Sequence, residues 1–388
     1  MEQNKKKSAW KGTLEIAVFV LIGVACGLFG VQLIDLSFLH DQPAHMQFFG
    51  YVLFFALIWA AYLLEIVLHE MGHMVCGLLS GYRFSSFRIG RMVLLKQGGK
   101  WTVKRFFLAG TGGQCLMVPP QSKDGNYPVV LYNLGGALAN LVFGLAFLAL
   151  TLLTKGVSVW LTVFCGANVF FGILYAALNG IPMRLSTVPN DGANVIALKK
   201  DPTAARAFCF HLQVNAKGYE GVRLKDMPAE WFDFPAKSQL KNAMFAESAV
   251  FACNRLMDEH RFAEAEEKMK SLLNADTHVA GIHKKLLTCD LIYCELIGAC
   301  RNEVLVKYLT TEQFHFMRNM KDFPSVIRTE YAYALLLEQD TFKANAKKTA
   351  FEKISQSYPS LGDVLSERTL MEYAKTLAKE KTKRIPKR

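Results

Sequence analysis

Four long apolar runs in the first 200 residues constrain the fold of this chain more than any other feature. They lie at about 14–34, 48–79, 131–153 and 158–180. Each is about 20 residues or longer, which is the length an α-helix needs to cross the hydrocarbon of a bilayer. Inside lipid the backbone must satisfy its own hydrogen bonds, so such runs form helices. The sequence therefore predicts a mostly α-helical, polytopic membrane bundle of about four spans.

The second run contains a pentapeptide with chemical meaning, His69-Glu70-Met71-Gly72-His73. Two histidines four residues apart lie on one face of a helix, where both imidazoles can bind one zinc ion. Glu70 would lie beside that ion and accept a proton from the water that the ion activates. The alternative is a pair of helix histidines hydrogen-bonded to their neighbours. Polar side chains within a membrane span are costly unless they have a partner or a function, and this favours the metal site.

A catalytic zinc site needs a third protein ligand and leaves one coordination position open. The best candidate is Asp191, which follows the fourth run in the segment Val188-Pro189-Asn190-Asp191-Gly192. The glycine after it allows the backbone to bring the carboxylate close to the metal. Taken alone, however, this segment is also typical of an ordinary turn.

With these motifs the chain resembles the site-2 protease family of intramembrane zinc metalloproteases. That family pairs the histidine motif with an aspartate of a later Leu-Asp-Gly-like motif, which here is Asn190-Asp191-Gly192. Its other two motifs correspond to Gly136-Ala137-Leu138-Ala139-Asn140 and Asn179-Gly180-Ile181-Pro182. The resemblance covers about residues 48–200. It implies one Zn²⁺ per chain held by His69, His73 and Asp191, with Glu70 as the catalytic base and Asn140 and Asn179 as substrate-binding residues.

The chain departs from the family pattern at three places. Ala137 replaces proline, Asn190 replaces leucine, and nine positions separate Pro182 from Asp191, several more than the pattern has. Only the aspartate has to reach the metal, so the ligand assignment does not depend on these differences. A buried amide such as that of Asn140 needs a partner, which is either a neighbouring helix or the backbone or oxyanion of a substrate.

The segment between the second and third runs predicts a small β-hairpin. Residues 91–107 hold two short β-prone stretches around Gly98-Gly99, and two glycines at this place favour a tight turn with positive φ. The segment is both apolar and basic, so we expect it at the membrane interface. Its strand edge either receives an extended substrate by β-augmentation or belongs to a plain surface hairpin. Residues 110–120 are rich in glycine and proline, and we expect them to be irregular.

The second half of the chain predicts a soluble α-helical domain. Amphipathic segments with short breaks occur at 243–256, 262–273, 282–297, 303–309, 311–320 and 324–337. Residues 261–266 resemble the second helix of a tetratricopeptide-type unit, although no repeat period can be fixed. The alternatives are an array of helical hairpins and a generic helical domain. We therefore divide the chain into a membrane-embedded zinc metalloprotease domain, 1–200, and a cytoplasmic α-helical domain, 201–388.

The basic residues are distributed as in a multi-pass membrane protein. The formal net charge is +12, and lysines and arginines cluster before the first run, after the second and at the chain end, whereas residues 35–47 contain none. This positive-inside pattern predicts cytoplasmic termini, and we expect the cell membrane as the location. Anionic lipid headgroups account for the charge, so we expect the bilayer and no nucleic acid as a partner. Nine cysteines without a CxxC pair fit a reducing compartment.

Together these features predict an intramembrane zinc endopeptidase that cleaves a membrane-spanning or membrane-associated protein or peptide. The helical C-terminal domain would bind a cytoplasmic partner. Two other classes stay open: a catalytically silent membrane scaffold that recruits partners through this domain, and a zinc transporter or sensor. The intact histidines, Glu70 and Asp191 disfavour the scaffold, and a transporter would not need Glu70.

Overall fold

A computed structural model describes Val24 and residues 40–106, 111–122, 126–154, 156–185 and 188–384. Most of these residues are helical, and the chain divides into two compact units. The first unit comes from the described residues of Met1–Gly90 and Gly110–Pro202, and the second from those of Arg91–Ala109 and Thr203–Arg388. The chain therefore passes from one unit to the other three times.

Three helices of the first unit are long and apolar enough to cross a membrane: α1 (Ala44–Leu79), α2 (Val129–Leu153) and α3 (Val159–Gly180). They correspond to the second, third and fourth predicted runs. The first run, 14–34, lies outside the described residues apart from Val24. Each helix packs against the other two, while their outer faces expose large apolar side chains such as Phe55 and Trp59. Such an outer face suits contact with lipid, and the protein is a membrane protein.

Glycines set the distance between these helices. At Gly72 of α1 and at Gly135 of α2, an added methyl group would overlap the backbone of the other helix. Gly172 of α3 approaches α2 in the same way, because a methyl group there would lie 2.9 Å from the carbonyl oxygen of Asn140. Small residues allow this close backbone contact between membrane helices. The histidine motif on α1 is thereby pressed against α2.

Four strands between α1 and α2 form two antiparallel pairs. In the first unit, β1 (Arg83–Ile89) pairs with β4 (Gly113–Val118). In the second unit, β2 (Met92–Gln97) pairs with β3 (Lys100–Arg105). Gly98 and Gly99 form the β2–β3 turn with φ of 56° and 79°, so the predicted hairpin is confirmed. The expectation that residues 110–120 are irregular is wrong, because pairing with β1 places six of them in a strand despite the glycines.

The eight residues between Pro182 and Asp191 include a minimal antiparallel ladder. Two short strands, β5 (Arg184–Leu185) and β6 (Val188–Pro189), pair antiparallel directly after α3. The short helix α4 (Asp191–Lys200) follows at once and packs against α2 and α3. The extra length noted in the sequence is therefore a local excursion that returns the chain to the end of α3.

The second unit is built mainly from nine α-helices among the described residues. They are α5 (Pro202–Tyr219), α6 (Ala243–Asp258), α7 (Phe262–Asn274), α8 (Gly281–Ile297), α9 (Asn302–Tyr308), α10 (Thr311–Asn319), α11 (Pro324–Ala332), α12 (Thr341–Ser357) and α13 (Leu361–Arg384). Short 3₁₀ turns lie at Leu224–Asp226, Ala229–Phe232 and Gln239–Lys241, and a π-helical turn at Tyr333–Leu337 extends α11. An apolar core contributed by α6–α8 and α11–α13 holds the unit together.

The β2–β3 hairpin belongs to this second unit. The Gln97 side chain donates to the carbonyl oxygen of Tyr219 at 2.7 Å, and Lys104 Nζ donates to that of Gln356 at 2.6 Å. Phe106 packs edge-on against Tyr358. The expected division of the chain at residue 200 lies close to the last crossing, at Pro202, but it does not separate the hairpin from the membrane helices.

Candidate metal centre

The structure brings together the three residues proposed as metal ligands. His69 Nε2 and His73 Nε2 lie 3.1 Å apart on one face of α1, and each lies 3.3 Å from Oδ2 of Asp191, the first residue of α4. Among the described residues they form the one group of histidine, cysteine and carboxylate side chains that could hold a metal ion. Asp191 lies 118 positions after His73 and on another helix, so the group depends on the packing of the bundle.

The spacing of these atoms fits zinc. Tetrahedral zinc with bonds of about 2.0–2.1 Å separates neighbouring ligand atoms by about 3.3 Å. Asp191 Oδ2 is buried and has no hydrogen-bond donor, which is the condition expected of a ligand oxygen. The side chains of His69, His73 and Asp191 are 13%, 11% and 22% exposed. The group is thus largely but not completely enclosed.

Hydrogen bonds on the far side of each imidazole orient its ligand nitrogen. His69 Nδ1 lies 2.7 Å from Oδ1 of Asn140, and His73 Nδ1 lies 2.8 Å from the carbonyl oxygen of Tyr132. Both oxygens are acceptors, so each ring carries its hydrogen on Nδ1 and a lone pair on Nε2. Two lone pairs and a carboxylate oxygen therefore converge on one point. Such a group is satisfied by a cation.

Asn190 fixes the position of Asp191. Its Oδ1 accepts hydrogen bonds from the backbone N–H groups of Ala193 and Met183, each at 3.0 Å. Its Nδ2 donates to two carbonyl oxygens at the end of α3, 2.6 and 2.7 Å away. The side chain therefore caps the N-terminus of α4 and also links α4 to the end of α3 by hydrogen bonds. The residue that departs from the family pattern holds the aspartate in place.

Gly192, on the other side of Asp191 from Asn190, allows the start of α4 to pack closely against the end of α3. A methyl group on Gly192 would overlap the carbonyl oxygen of Gly180, the last residue of α3. The start of α4 can lie against the end of α3 only because this position has no side chain. Gly180 and Gly192 thus pack against each other, and this contact brings Asp191 toward α1.

Glu70 lies between the metal ligands and strand β4. It is buried, with 7% of its surface exposed, and Gly113 at the start of β4 packs directly against its carboxyl group. Any side chain at Gly113 would overlap that group. The first residue of β4, Gly113, therefore lies against Glu70, the residue proposed as the catalytic base.

A buried arginine ties this end of β4 to β1. Arg88 is 2% exposed, and its guanidinium donates to Thr111 Oγ1 at 2.6 Å and to the carbonyl oxygens of Gly90 and Gly113 at 3.0 Å each. Hydrogen bonds from a charged donor are stronger than neutral ones. Arg88 thus holds the glycine that contacts Glu70.

Comparison with known protein families matches residues 57–365 to peptidase family M50. This match covers well over half of the chain. The chain belongs to peptidase family M50, the site-2 protease family. Comparisons with curated proteins and with solved structures give no match.

Membership of M50 supports a membrane metalloprotease of the site-2 protease type. The M50 match also extends through most of the second unit, whereas the motifs in the sequence indicated a resemblance that stops near residue 200. The motifs could not reveal this extent because the helices beyond residue 200 contain no metal-binding pattern.

The two asparagines predicted from the sequence as substrate-binding residues occupy different positions. Asn140 on α2 is fully buried and lies behind His69, with Oδ1 on the imidazole and Nδ2 on Glu65. Asn179 donates to the carbonyl oxygen of Tyr175 in its own helix, 3.0 Å away. The structure therefore gives Asn140 a contact with a proposed ligand and gives Asn179 none. A substrate-binding role for either residue stays a prediction.

Three residues of this site were not singled out as site residues by the sequence. Glu65 lies one helical turn before His69 and so shares its helix face, but its contact with Asn140 spans 75 positions and cannot be read from spacing. Arg88 carried no signal beyond a basic residue in an apolar segment. Asn190 could have been found, because asparagine directly before a helix is a favoured N-cap.

Proposed function

We propose that this M50 chain is an intramembrane zinc endopeptidase that cleaves a membrane-spanning or membrane-associated protein or peptide. One observation carries the proposal: His69 Nε2, His73 Nε2 and Asp191 Oδ2 converge at 3.1–3.3 Å beside Glu70, at helices able to cross a membrane. When bound there, one Zn²⁺ per chain would polarise the scissile carbonyl and make water more acidic.

The residues around that position have separate tasks. Glu70 accepts the proton of the attacking water and passes it to the leaving amine. His69 and His73 keep their Nε2 lone pairs directed inward because Asn140 and the Tyr132 carbonyl accept their Nδ1 hydrogens. The low exposure of the group limits bulk water, which strengthens electrostatic interactions at the reacting atoms. These tasks require Glu70 for turnover and the three ligands for metal binding.

The substrate would enter as an extended strand along β4. A peptide bond inside a membrane helix is hidden by helical hydrogen bonding, so the substrate must unwind locally. β4 pairs with β1 along one edge, and no described strand other than β1 pairs with it. A strand added to the opposite edge would pass Glu70 at Gly113. This makes β4, rather than the β2–β3 hairpin, the better place for β-augmentation.

We further propose the cellular setting. The chain would be a multi-pass protein of the cell membrane with both termini in the cytoplasm, as the distribution of basic residues indicates. The helical second half would bind a cytoplasmic partner that recruits the substrate or regulates cleavage. Nucleic acid is not among the expected partners.

Two variants test the proposal because they separate metal binding from proton transfer. Zinc per chain would be measured on purified wild type, Glu70→Gln and Asp191→Asn in detergent. We expect one zinc in the wild type and in Glu70→Gln, and a loss of zinc in Asp191→Asn because a neutral amide is a poor ligand. In native membranes, Glu70→Gln should retain an uncut substrate that the wild type processes, and covalent trapping would identify it.

Two results would contradict the proposal. A wild type that binds no zinc at micromolar free metal would remove the metal site. A Glu70→Gln variant that processes the trapped protein as fast as the wild type would leave a scaffold or a transporter as the better explanation.

A further inference from the structure

We propose that Glu65 is a positioning residue that orients the zinc ligand His69 through the side-chain amide of Asn140. This inference rests on the zinc site proposed above. Glu65 lies on α1, one helical turn before His69, and its side-chain hydrogen bond is to Asn140 and not to a proposed metal ligand.

Glu65 is placed where a carboxyl group is expensive. It is fully buried and lies on the longest of the three helices that can cross a membrane. Ionisable groups at such places are retained for a partner or a function. The partner is Asn140 on α2, which is also fully buried. The pair therefore connects two membrane helices at the level of the metal ligands.

The hydrogen bonds of Asn140 define which way its amide points. Nδ2 donates to Glu65 Oε2 at 2.8 Å and to the Glu65 carbonyl oxygen at 2.9 Å. Two acceptors on one side require the NH₂ group there, so Oδ1 must face His69 Nδ1, 2.7 Å away. If the amide were reversed, Oδ1 of Asn140 would face the two oxygens of Glu65, and its NH₂ group would face the Nδ1 hydrogen of His69. Neither contact is a hydrogen bond. Glu65 thus excludes the reversed orientation.

The two histidines differ in how they are oriented. The Nδ1 hydrogen of His73 is accepted by a backbone carbonyl, that of Tyr132, which is fixed by the helix. The Nδ1 hydrogen of His69 is accepted by a side-chain amide, which can turn over. His69 alone therefore needs a second residue to keep its Nε2 lone pair on the metal. Partners of this kind, beyond the ligands themselves, tune metal affinity.

Zinc affinity of single variants gives the first test. Glu65→Leu removes the side-chain acceptor and leaves Asn140 Nδ2 only the backbone carbonyl of residue 65. We expect the zinc dissociation constant of the full-length protein in detergent to rise about tenfold. Glu65→Gln keeps an oxygen that accepts from Asn140 Nδ2 and should stay within about threefold of the wild type, because the number of hydrogen bonds to the Asn140 amide is unchanged. Asn168→Leu is the matched control, since Asn168 is an equally buried amide that donates only within its own helix.

A paired variant tests the direction of the hydrogen bonds. In Asn140→Asp, one carboxylate oxygen can still accept the Nδ1 hydrogen of His69. The other oxygen replaces the NH₂ group and faces the Glu65 carboxyl group, so zinc affinity should fall. Adding Glu65→Gln to Asn140→Asp should recover at least tenfold of the loss, because the glutamine amide can donate to the new carboxylate. The absorption spectrum of bound Co²⁺ would show whether the ligand geometry recovers with the affinity. A purely structural role for Glu65 predicts no such recovery.

The outcomes separate this inference from the proposed function. If the wild type binds no zinc, the proposed metal site itself fails. If the wild type binds zinc while Glu65→Leu folds and binds equally well, the positioning role of Glu65 is refuted and the metal site stands. If Glu65→Leu does not fold, the Asn140→Asp pair decides, and a double variant no better than Asn140→Asp alone also refutes the role.

Discussion

At the scale of single residues, the candidate metal centre depends as much on missing side chains as on ligands. Gly136 on α2 lies flat against the His69 ring, and a methyl group there would overlap the ring atoms. Gly113 gives Glu70 the same room, and Gly192 does so for the start of α4. Gly136 and Gly113 each allow a backbone to approach a functional side chain closely, whereas Gly192 allows α4 to approach the backbone of α3. Small substitutions at Gly136 and Gly113 should therefore act on chemistry before they act on folding.

Gly136→Ala tests this at His69. The added methyl group must displace the imidazole, and a displacement of about 1 Å at a catalytic site costs about 100-fold in rate. We expect a comparable loss of cleavage together with weaker zinc binding, measured on protein purified in detergent. Gly144→Ala on the same helix is the control, because its methyl group would meet Gly172 at an ordinary 3.5 Å. Equal activity of the two variants would contradict the account.

At the scale of elements, strand β4 connects the bundle to the proposed path of the substrate. Its register pairs Gln114 with Arg88 and Gly113 with Ile89 of β1. The hydrogen bonds from the Arg88 guanidinium fasten the same end of the strand. The opposite end, at Val118 and Arg83, lies five residues further along. A change at one end should therefore affect the site, and a change at the other should not.

Arg88→Met should lower cleavage without removing the metal. The loop at Thr111–Gly113 would lose its donors, and the edge of β4 would shift against Glu70, so we expect a fall of about tenfold to 100-fold in turnover. Zinc per chain should stay at the wild-type value, since no ligand contacts Arg88. Arg83→Met, an exposed change at the far end of β1, is the control. Loss of zinc in Arg88→Met would indicate collapse of the site instead.

The elements also show why parts of the site could be predicted and parts could not. The spans follow from uninterrupted apolar runs, and the β2–β3 hairpin follows from Gly98-Gly99, because both signals are local. The histidines and Asp191 followed from a resemblance in motif, since nothing in the spacing of the chain predicts that α4 returns to α1. Strand β4 was missed because its stability comes from pairing with β1, which outweighs the composition of residues 110–120.

At the scale of the whole molecule, the second unit has a buried ion network at its centre. Arg328 on α11 is fully buried and bonds to Asp290 on α8 and to Glu367 on α13, the latter at 2.8 Å. Its guanidinium also lies 4.4 Å from the centre of the Tyr293 ring. One side chain therefore joins three helices. Removing it would leave two carboxylates buried near each other without a counter-charge.

Arg328→Met should destabilise this unit by about 3–5 kcal/mol, as expected for one partner of a buried ion pair. The measurement is thiol labelling of the full-length protein in increasing urea, with labelling of Cys289 followed separately from that of the partly exposed Cys300. Burial raises the pKa of the Cys289 thiol to about 12, so this thiol should resist labelling at pH 8 while the unit is folded. Lys375→Met, at an exposed pair with Glu372, should change stability by less than about 1 kcal/mol. Equal midpoints for both variants would contradict the role of Arg328.

The threefold crossing between the units has a practical meaning for anyone who shortens this protein. Ending the chain at residue 202 would delete Tyr219, Gln356 and Tyr358 and leave Gln97, Lys104 and Phe106 facing water. Lost activity in that truncation would then report a damaged hairpin as readily as a missing regulator. A fair truncation would also replace residues 91–109 with a short flexible loop between β1 and β4.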